Sequence, residues 1–255
     1  MRIATWNVNS IRARVDAVVG WIERHEPDVL CLQETKVVDD DFPTDELQRL
    51  GYAVAMAGQK TYNGVAIASR LPMRDVSVGL SDGANDPDKR LIAASVGGIR
   101  VLSAYVPNGK SVDSPSFAVK LAFFDRLAKT LLDQAPDKRG LVLCGDFNVA
   151  PDERDVFDPE RMRGQLHFHP DEHRALGKLL GLGLVDAYRL HHREGGRFSW
   201  WDYRGAGFAK NEGLRIDLVL LSGDLAERCT GAHIDAEERQ RDKPSDHAPV
   251  FVDLV

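Results

Sequence analysis

Short apolar runs, each about as long as one strand, recur from one end of the chain to the other and alternate with longer helix-like segments. The runs are "RIATWNV" (2–8), "DVLCLQE" (28–34), "YAVAMA", "GVAIAS", "RLIAASVGGIRVLSAYV" (90–106), "GLVLCGDF" (140–147), "RIDLVLLS" and "PVFVDL". "LVDAYRL" and "RFSWWDY" are counted with them. "YAVAMA" and "GVAIAS" read as a strand pair meeting around "GQKTYNG", and 90–106 as a hairpin turning at Gly97-Gly98. Between the runs, "SIRARVDAVVGWIERH" (10–25) has Ile11, Val15, Val18, Val19 and Ile22 on one helical face, with Ser10 placed to cap it. "FAVKLAFFDRLAKTLLDQA" (117–135) is the clearest helix, and another forms around "DEHRALGKLLG". Strands with helices between them indicate a layered α/β domain. There are too many strands for one open sheet in 255 residues. The expectation is therefore a single domain over 1–255, with two packed mixed β-sheets flanked by helices.

Composition narrows the class. At 43% hydrophobic and 28% charged, the chain is ordinarily globular. No apolar run reaches the roughly 18 residues of a membrane span. Met1 leads straight into a strand-like pattern, with nothing resembling a signal peptide. Cys31, Cys144 and Cys229 lack CxxC spacing, and the first two lie in apolar runs, as buried thiols of a reducing cytoplasm would. A net charge of −6 argues against a protein that coats nucleic acid non-specifically. It leaves room for an enzyme with a basic rim around an acidic centre that holds a metal.

Several apolar runs end on a group that could bind or ligate. These are Asn7 and Asn9, Gln33 and Glu34, Tyr105 and Asn108, and Asp146 and Asn148. Two runs reverse the order. Asp217 opens "RIDLVLLS", and Asp246-His247 precede "PVFVDL". One such residue is ordinarily a cap or turn. So many together suit a ligand site, which layered α/β folds build at strand ends. A carboxylate within "RIDLVLL" is costly to bury without a partner, and His247 could supply one. The set suits phosphodiester hydrolysis. Carboxylates such as Glu34 provide hard oxygen ligands for Mg²⁺ or Mn²⁺. Asp146 can accept a water proton, and Asn148, Tyr105 and an imidazolium His247 can donate to phosphate oxygens. A carboxylate base and a metal-bound hydroxide would use the same residues.

The motifs "TWNVNSIRAR", "PDVLCLQETK", "GYAVAMAGQKTYNGVAI", "YVPNGK", "GDFNVAP", "RFSWWDYRGAGF", "GLRIDLVLLS" and "KPSDHAPV" occur in that order. Together they resemble the bacterial exonuclease III family, within the endonuclease/exonuclease/phosphatase superfamily. "GDFN" or "SDHAPV" alone would mark only the superfamily, whereas "QETK" with "FSWWDYR" and "GLRIDL" points to its abasic-site repair branch. The resemblance implies a four-layer, deoxyribonuclease I-like α/β sandwich and a Mg²⁺-dependent enzyme on duplex DNA. It would cut 5′ to abasic sites, trim 3′ ends and remove 3′ phosphates, as a monomer in the cytoplasm at the nucleoid. By the same resemblance Glu34 is the principal metal ligand, with Asn7 nearby and Asp246 at the metal site or just outside it. Asp146 orients or deprotonates water. Tyr105, Asn148 and His247 hold the phosphate, with Asp217 paired to His247. Trp200, Leu214 and Ile216 would wall an apolar pocket for a flipped-out baseless sugar, although plain core packing explains such residues equally well. Arg90, Asn108, Lys110 and Arg204 are candidate DNA contacts. The acidic stretch 80–90 could weaken duplex contacts. The stretch 151–165 and the histidines His167, His169 and His173 look like a loop near the site, while "HFH" (167–169) and His191-His192 read as surface features.

Two other readings share this fold. A phosphodiesterase for lipids, inositol phosphates or RNA would keep Glu34, Asp146, Asn148, Asp217 and His247 but lack the Trp200/Leu214/Ile216 wall. A catalytically weak RNA-binding regulator would have lost metal or phosphate positions, and all of them are filled here.

Overall fold

Successive side chains of a strand point to opposite faces, so parity along each strand decides what shares the interior. The computed structural model describes residues 1–83, 87–135, 137 and 139–255. The centre of the acidic stretch 80–90, residues 84–86, lies outside them. One six-stranded sheet contains β1 (Arg2–Asn7), β2 (Val29–Gln33), β3 (Ala53–Ala57), β4 (Val65–Ser69), β11 (Cys229–Ile234) and β12 (Val250–Leu254), in the order β11-β12-β1-β2-β4-β3. The other contains β5 (Met73–Val78), β6 (Leu91–Val96), β7 (Ile99–Tyr105), β8 (Leu141–Asp146), β9 (Val185–Asp186) and β10 (Asp217–Leu221), in the order β5-β6-β7-β8-β10-β9. Both are mixed: β1–β2 and β7–β8 are parallel pairs among antiparallel neighbours.

Ile3, Val29, Cys31, Val65 and Ile67 of the first sheet pack against Ile92, Val101, Val142, Cys144 and Val219 of the second. The alternate residues face outward. Ala4, Trp6, Leu30 and Leu32 meet α1 (Ile11–His25) and α2 (Thr44–Arg49) through Val18, Trp21, Ile22 and Leu47. Leu102, Leu141 and Leu143 meet α3 (Pro115–Gln134) through Phe123, Phe124 and Leu127. They also meet α5 (Pro170–Leu180), which follows the short α4 (Pro159–Met162), through Ala175, Leu176 and Leu179. The result is the expected four-layer α/β sandwich.

Several local expectations change. Ser10 makes no side-chain cap and has φ 91°; its N–H instead donates to the Glu34 carbonyl at 2.7 Å. "RFSWWDY" forms no strand, only isolated bridges from Trp200 to Leu214 and to His247. "LVDAYRL" gives two strand residues and then α6 (Ala187–His191). Two edge strands carry no apolar alternation strong enough to read. β5 is largely exposed, with a register break between Arg74 and Ser77, and β11 alternates weakly beside β12.

The loop after β8 is fastened to the start of β10 by a buried ion cluster. Arg215, fully enclosed, donates to Asp155 at 2.6 and 3.1 Å and to Asp186 at 2.7 and 3.2 Å. Arg189 also pairs with Asp155. Removing one partner of such a cluster strands the others in a dry interior. We predict that Arg215→Met lowers unfolding free energy by about 3–5 kcal/mol in urea titration. A loss under about 1 kcal/mol would show that the cluster contributes little to holding this corner.

Candidate active site

The inner-facing column of each central strand changes character along its length. It runs Ile3, Thr5, Asn7 on β1; Val29, Cys31, Gln33 on β2; Val101, Ser103, Tyr105 on β7; and Val142, Cys144, Asp146 on β8. β10 runs antiparallel to β8, so its first residue lies at the same end: Asp217 is directly opposite Asp146. β12 is likewise antiparallel to β1, which brings the residues before it to that end. This is why Asp217 and Asp246-His247 precede their runs while the other polar groups follow theirs. Midway, Gln33 bridges the sheets, donating to Thr5 at 2.9 Å and to Ser103 at 3.0 Å. Gly145 allows β7 and β8 to close up here. A Cβ on it would lie 1.9 Å from the Ala104 carbonyl oxygen.

Asp146 and Asp217 are almost wholly buried. Carboxylates directly opposite one another on paired strands repel, and burial removes the water that would screen them. His247 compensates. Its Nδ1 lies 2.8 and 3.1 Å from the two Asp217 oxygens, and its Nε2 lies 3.7 Å from Asp146 Oδ2. The ring is held by its backbone: Trp6 Nε1 donates to the His247 carbonyl at 3.1 Å, and the His247 N–H donates to Ser245 Oγ at 3.2 Å. Ser199 Oγ accepts the N–H groups of both Ile216 and Asp217 at 3.0 Å. Burial disfavours the imidazolium, but Asp217 and Asp146 outweigh it and hold His247 up to about 10. Burial pushes Asp146 up to about 7, with Asp217 and Glu34 adding to the rise and His247 opposing it.

Asn7 joins the two sheets, donating from Nδ2 to Glu34 Oε1 and to Asp146 Oδ2, each at 2.9 Å. It thus meets the carboxylates as a donor. Glu34, left-handed at φ 52°, is paired with Lys36 at 2.7 Å. Burial favours its neutral form, yet Lys36 and Asn7 hold its pKa below the ordinary carboxylate range. Tyr105 is raised well above the phenol range by burial and by the Glu34 and Asp146 carboxylates, so it is a neutral O–H donor. Asn148, with φ 53°, donates its N–H to Asp146 Oδ1 at 2.9 Å. Its amide donates to the Val106 carbonyl at 3.0 Å and to Asp146 Oδ2 at 3.2 Å, and its Oδ1 accepts from Asn108 at 3.1 Å.

Glu34, Asp146 and His247 offer ligand atoms that all lie within 4.8 Å of one another, a group that could hold a metal ion. With His247 protonated, the donors are the carboxylate oxygens, a hard set suited to a small divalent cation. Asp246 stands outside this group, accepting from Asn9 at 2.9 Å and from Trp200 Nε1 at 3.0 Å. Leu214 and Ile216 are only 2% exposed and pack with Ala150, Val156 and Phe168, while Trp200 is half-buried against them. Arg90 lies over the Tyr105 ring at 4.8 Å, pairs with Asp88 and is mostly covered, so it is placed to hold Tyr105. Lys110 and Arg204 are exposed.

The histidines read as surface features are not all of one kind. His167 is largely enclosed; its Nδ1 lies 2.6 Å from the Asn148 carbonyl and its ring 6.3 Å from Trp200. Burial and Lys120 push it down to about 3, so it is neutral and Nδ1 donates. His169 caps α5, and His173 lies 3.0 Å from the Ala150 carbonyl. His192 stacks on Tyr188, and His191 is exposed. Lys36 and Ser199 were not legible as site residues. "QETK" carried the only signal for Lys36, and no local pattern marks Ser199.

A histidine whose folded pKa lies above its unfolded value of about 6.5 adds stability that is complete below that pH and lost as pH rises through the folded pKa. In EDTA, the wild type should therefore exceed His247→Gln most in thermal unfolding near pH 6, with the margin shrinking steadily toward pH 10. A margin constant over that range would mean that His247 is buried neutral.

Residues 4–247 match the endonuclease/exonuclease/phosphatase family. The chain is 36% identical over 266 residues to exodeoxyribonuclease III of Haemophilus influenzae, covering all of both proteins. Among solved structures, it resembles the Neisseria 3′ phosphatase NExo bound to a product DNA hairpin, at 43% identity and a TM-score of 0.97. It is similar also to an AP endonuclease from Archaeoglobus fulgidus, at 42% identity and a TM-score of 0.95. In both cases all of this chain and 99% of the other are covered. With its two-sheet sandwich and its Asp146/Asp217/His247 centre beside Glu34, the chain belongs to the endonuclease/exonuclease/phosphatase family.

Proposed function

We propose that the protein is a Mg²⁺-dependent DNA repair nuclease that hydrolyses phosphodiesters 5′ to abasic sites in duplex DNA, trims 3′ ends and removes 3′ phosphates. One observation carries the chemistry. A buried imidazole ring, His247, lies between Asp146 and Asp217 at the mouth of the sandwich, with Glu34 alongside. DNA as substrate is supported by the relatives, an exodeoxyribonuclease and a phosphatase bound to DNA. The same resemblance carries the expectation of a monomer at the nucleoid.

Glu34, with Asp146 beside it, would hold the cation, for which Mn²⁺ could substitute. That ion would supply charge neutralisation on the phosphate and on the departing oxygen. The protein's own groups supply the rest. Asp146, poised near neutrality, takes a proton from the attacking water. His247 stays cationic and presents Nε2–H to a phosphate oxygen, while Asp217 fixes the ring through Nδ1. Tyr105, neutral, donates its hydroxyl proton. Asn148 reaches the phosphate by exchanging its 3.2 Å bond to Asp146. Water attacks phosphorus as its proton passes to Asp146, the bond to the 3′ oxygen breaks, and that oxygen leaves as an alkoxide that takes a proton from solvent water.

A second reading, in which 3′-end processing outweighs abasic incision, is favoured by the wall residues. Leu214 and Ile216 are closed over by their neighbours, and His167 stands beside Trp200. A flipped-out sugar needs room at such a wall, whereas a terminal phosphate does not.

The test is cleavage of labelled duplexes carrying an abasic-site analogue, a recessed 3′ end or a 3′ phosphate, each with Mg²⁺ and with EDTA. Mg²⁺-dependent cleavage is expected, and the lanes rank the activities. No cleavage of any duplex by folded protein would favour an RNA-binding regulator or a non-DNA phosphodiesterase. Asp146→Asn and His247→Ala should each lower the rate by roughly two or more orders of magnitude, with circular dichroism unchanged. Near-wild-type turnover in either variant would remove the role given to that residue.

A further inference from the structure

Behind Asn108 and Asn148 lies a second buried cation. Lys120, in the second turn of α3, has no exposed surface, an expensive place for an ammonium group. All three of its hydrogens have acceptors: Glu172 Oε1, the Asn148 carbonyl at 2.6 Å and the Asn108 carbonyl at 3.1 Å. Glu172, equally buried on α5, is fixed in turn because its other oxygen accepts the His169 N–H at 3.0 Å. Charge balance alone would need only the Lys120–Glu172 pair. The remaining two hydrogens are directed at the backbone of the loops after β7 and β8, whose side chains Asn108 and Asn148 meet at 3.1 Å on the site side. Asn148 holds a left-handed conformation, which costs energy and must be maintained by its surroundings.

We propose that Lys120 is a positioning residue for substrate phosphate, one ammonium clamping loops 106–110 and 146–150 so that Asn108 and Asn148 present their amides together. This rests on the nuclease reading above. Lys120 touches no substrate and acts through the two asparagines.

A double-mutant cycle tests the clamp. Lys120→Met should lower kcat on the best duplex substrate by about 10- to 100-fold, the scale expected when a binding group is misplaced by about 1 Å. In an Asn108→Ala/Asn148→Ala background, the same substitution should change kcat by less than about two-fold, because the groups through which it acts are already gone. Hydrogen exchange supplies a readout independent of activity, with peptides covering 106–110 and 146–150 exchanging faster and those of β1 and β2 unchanged. Lys120→Met/Glu172→Gln, which leaves no unpaired charge, replaces the single variant if that variant does not fold. Full loss persisting in the Asn108→Ala/Asn148→Ala background, or unchanged exchange in both loops, would overturn the proposal. So would failure of both Lys120 variants to fold, which would assign Lys120 to core stability alone. A wild type inactive on every duplex would instead remove the nuclease reading, and exchange would still decide the clamp.

Discussion

Two carboxylates that face each other across adjacent strands inside a protein cannot both stay charged without a cation between them. Asp146 and Asp217 are such a pair, and the register of β8 with β10 leaves them no other arrangement. The compensating group, His247, comes from the other sheet, just before β12. The electrostatic requirement of one sheet is thus met by the other. Asn7 repeats the relation in the same direction, reaching from β1 to Asp146. The two sheets are joined by polar bonds from Gln33–Ser103 midway to this end and elsewhere by apolar contact. Whatever holds the sheets together therefore also assembles the site.

The remaining features follow from keeping this charged end fixed beside a dry core. Ser199 ties the start of β10, Trp6 and Ser245 tie His247, and Arg215 ties the loop after β8. Each ends on a fully buried donor or acceptor, where an unmade bond costs most. The overall charge of −6 is no obstacle to an anionic substrate, because the field such a substrate meets is local, and His247 and Lys36 stand among the carboxylates there.

Much of this was legible in the sequence because the same side-chain parity that buries Val142 and Cys144 delivers Asp146. Polar residues at the ends of apolar runs marked Glu34, Tyr105, Asp146 and Asn148, and the carboxylate inside "RIDLVLL" marked Asp217. What was hidden has a common cause. Ser199 and Lys120 act through backbone atoms distant in sequence, and such a partnership leaves no local pattern. The edge strands β5 and β11 were missed because an edge needs no continuous apolar run. Ser10 failed as a cap because its N–H is committed to the Glu34 carbonyl. Leu214 and Ile216 show the reverse limit: an apolar residue beside a site looks the same in sequence whether it lines a pocket or fills a core.

The protonation state of His247 is the most direct test of this account, because both the assembly of the two sheets and the chemistry assigned to the site depend on its charge. Nitrogen-15 NMR of the imidazole, recorded on metal-free protein near pH 7.5, would read it without any substrate. The account predicts both ring nitrogens protonated in the wild type and loss of one proton when Asp217 is replaced by Asn. A neutral ring in the wild type at that pH would contradict it, leaving the Asp146–Asp217 pair without its compensating cation.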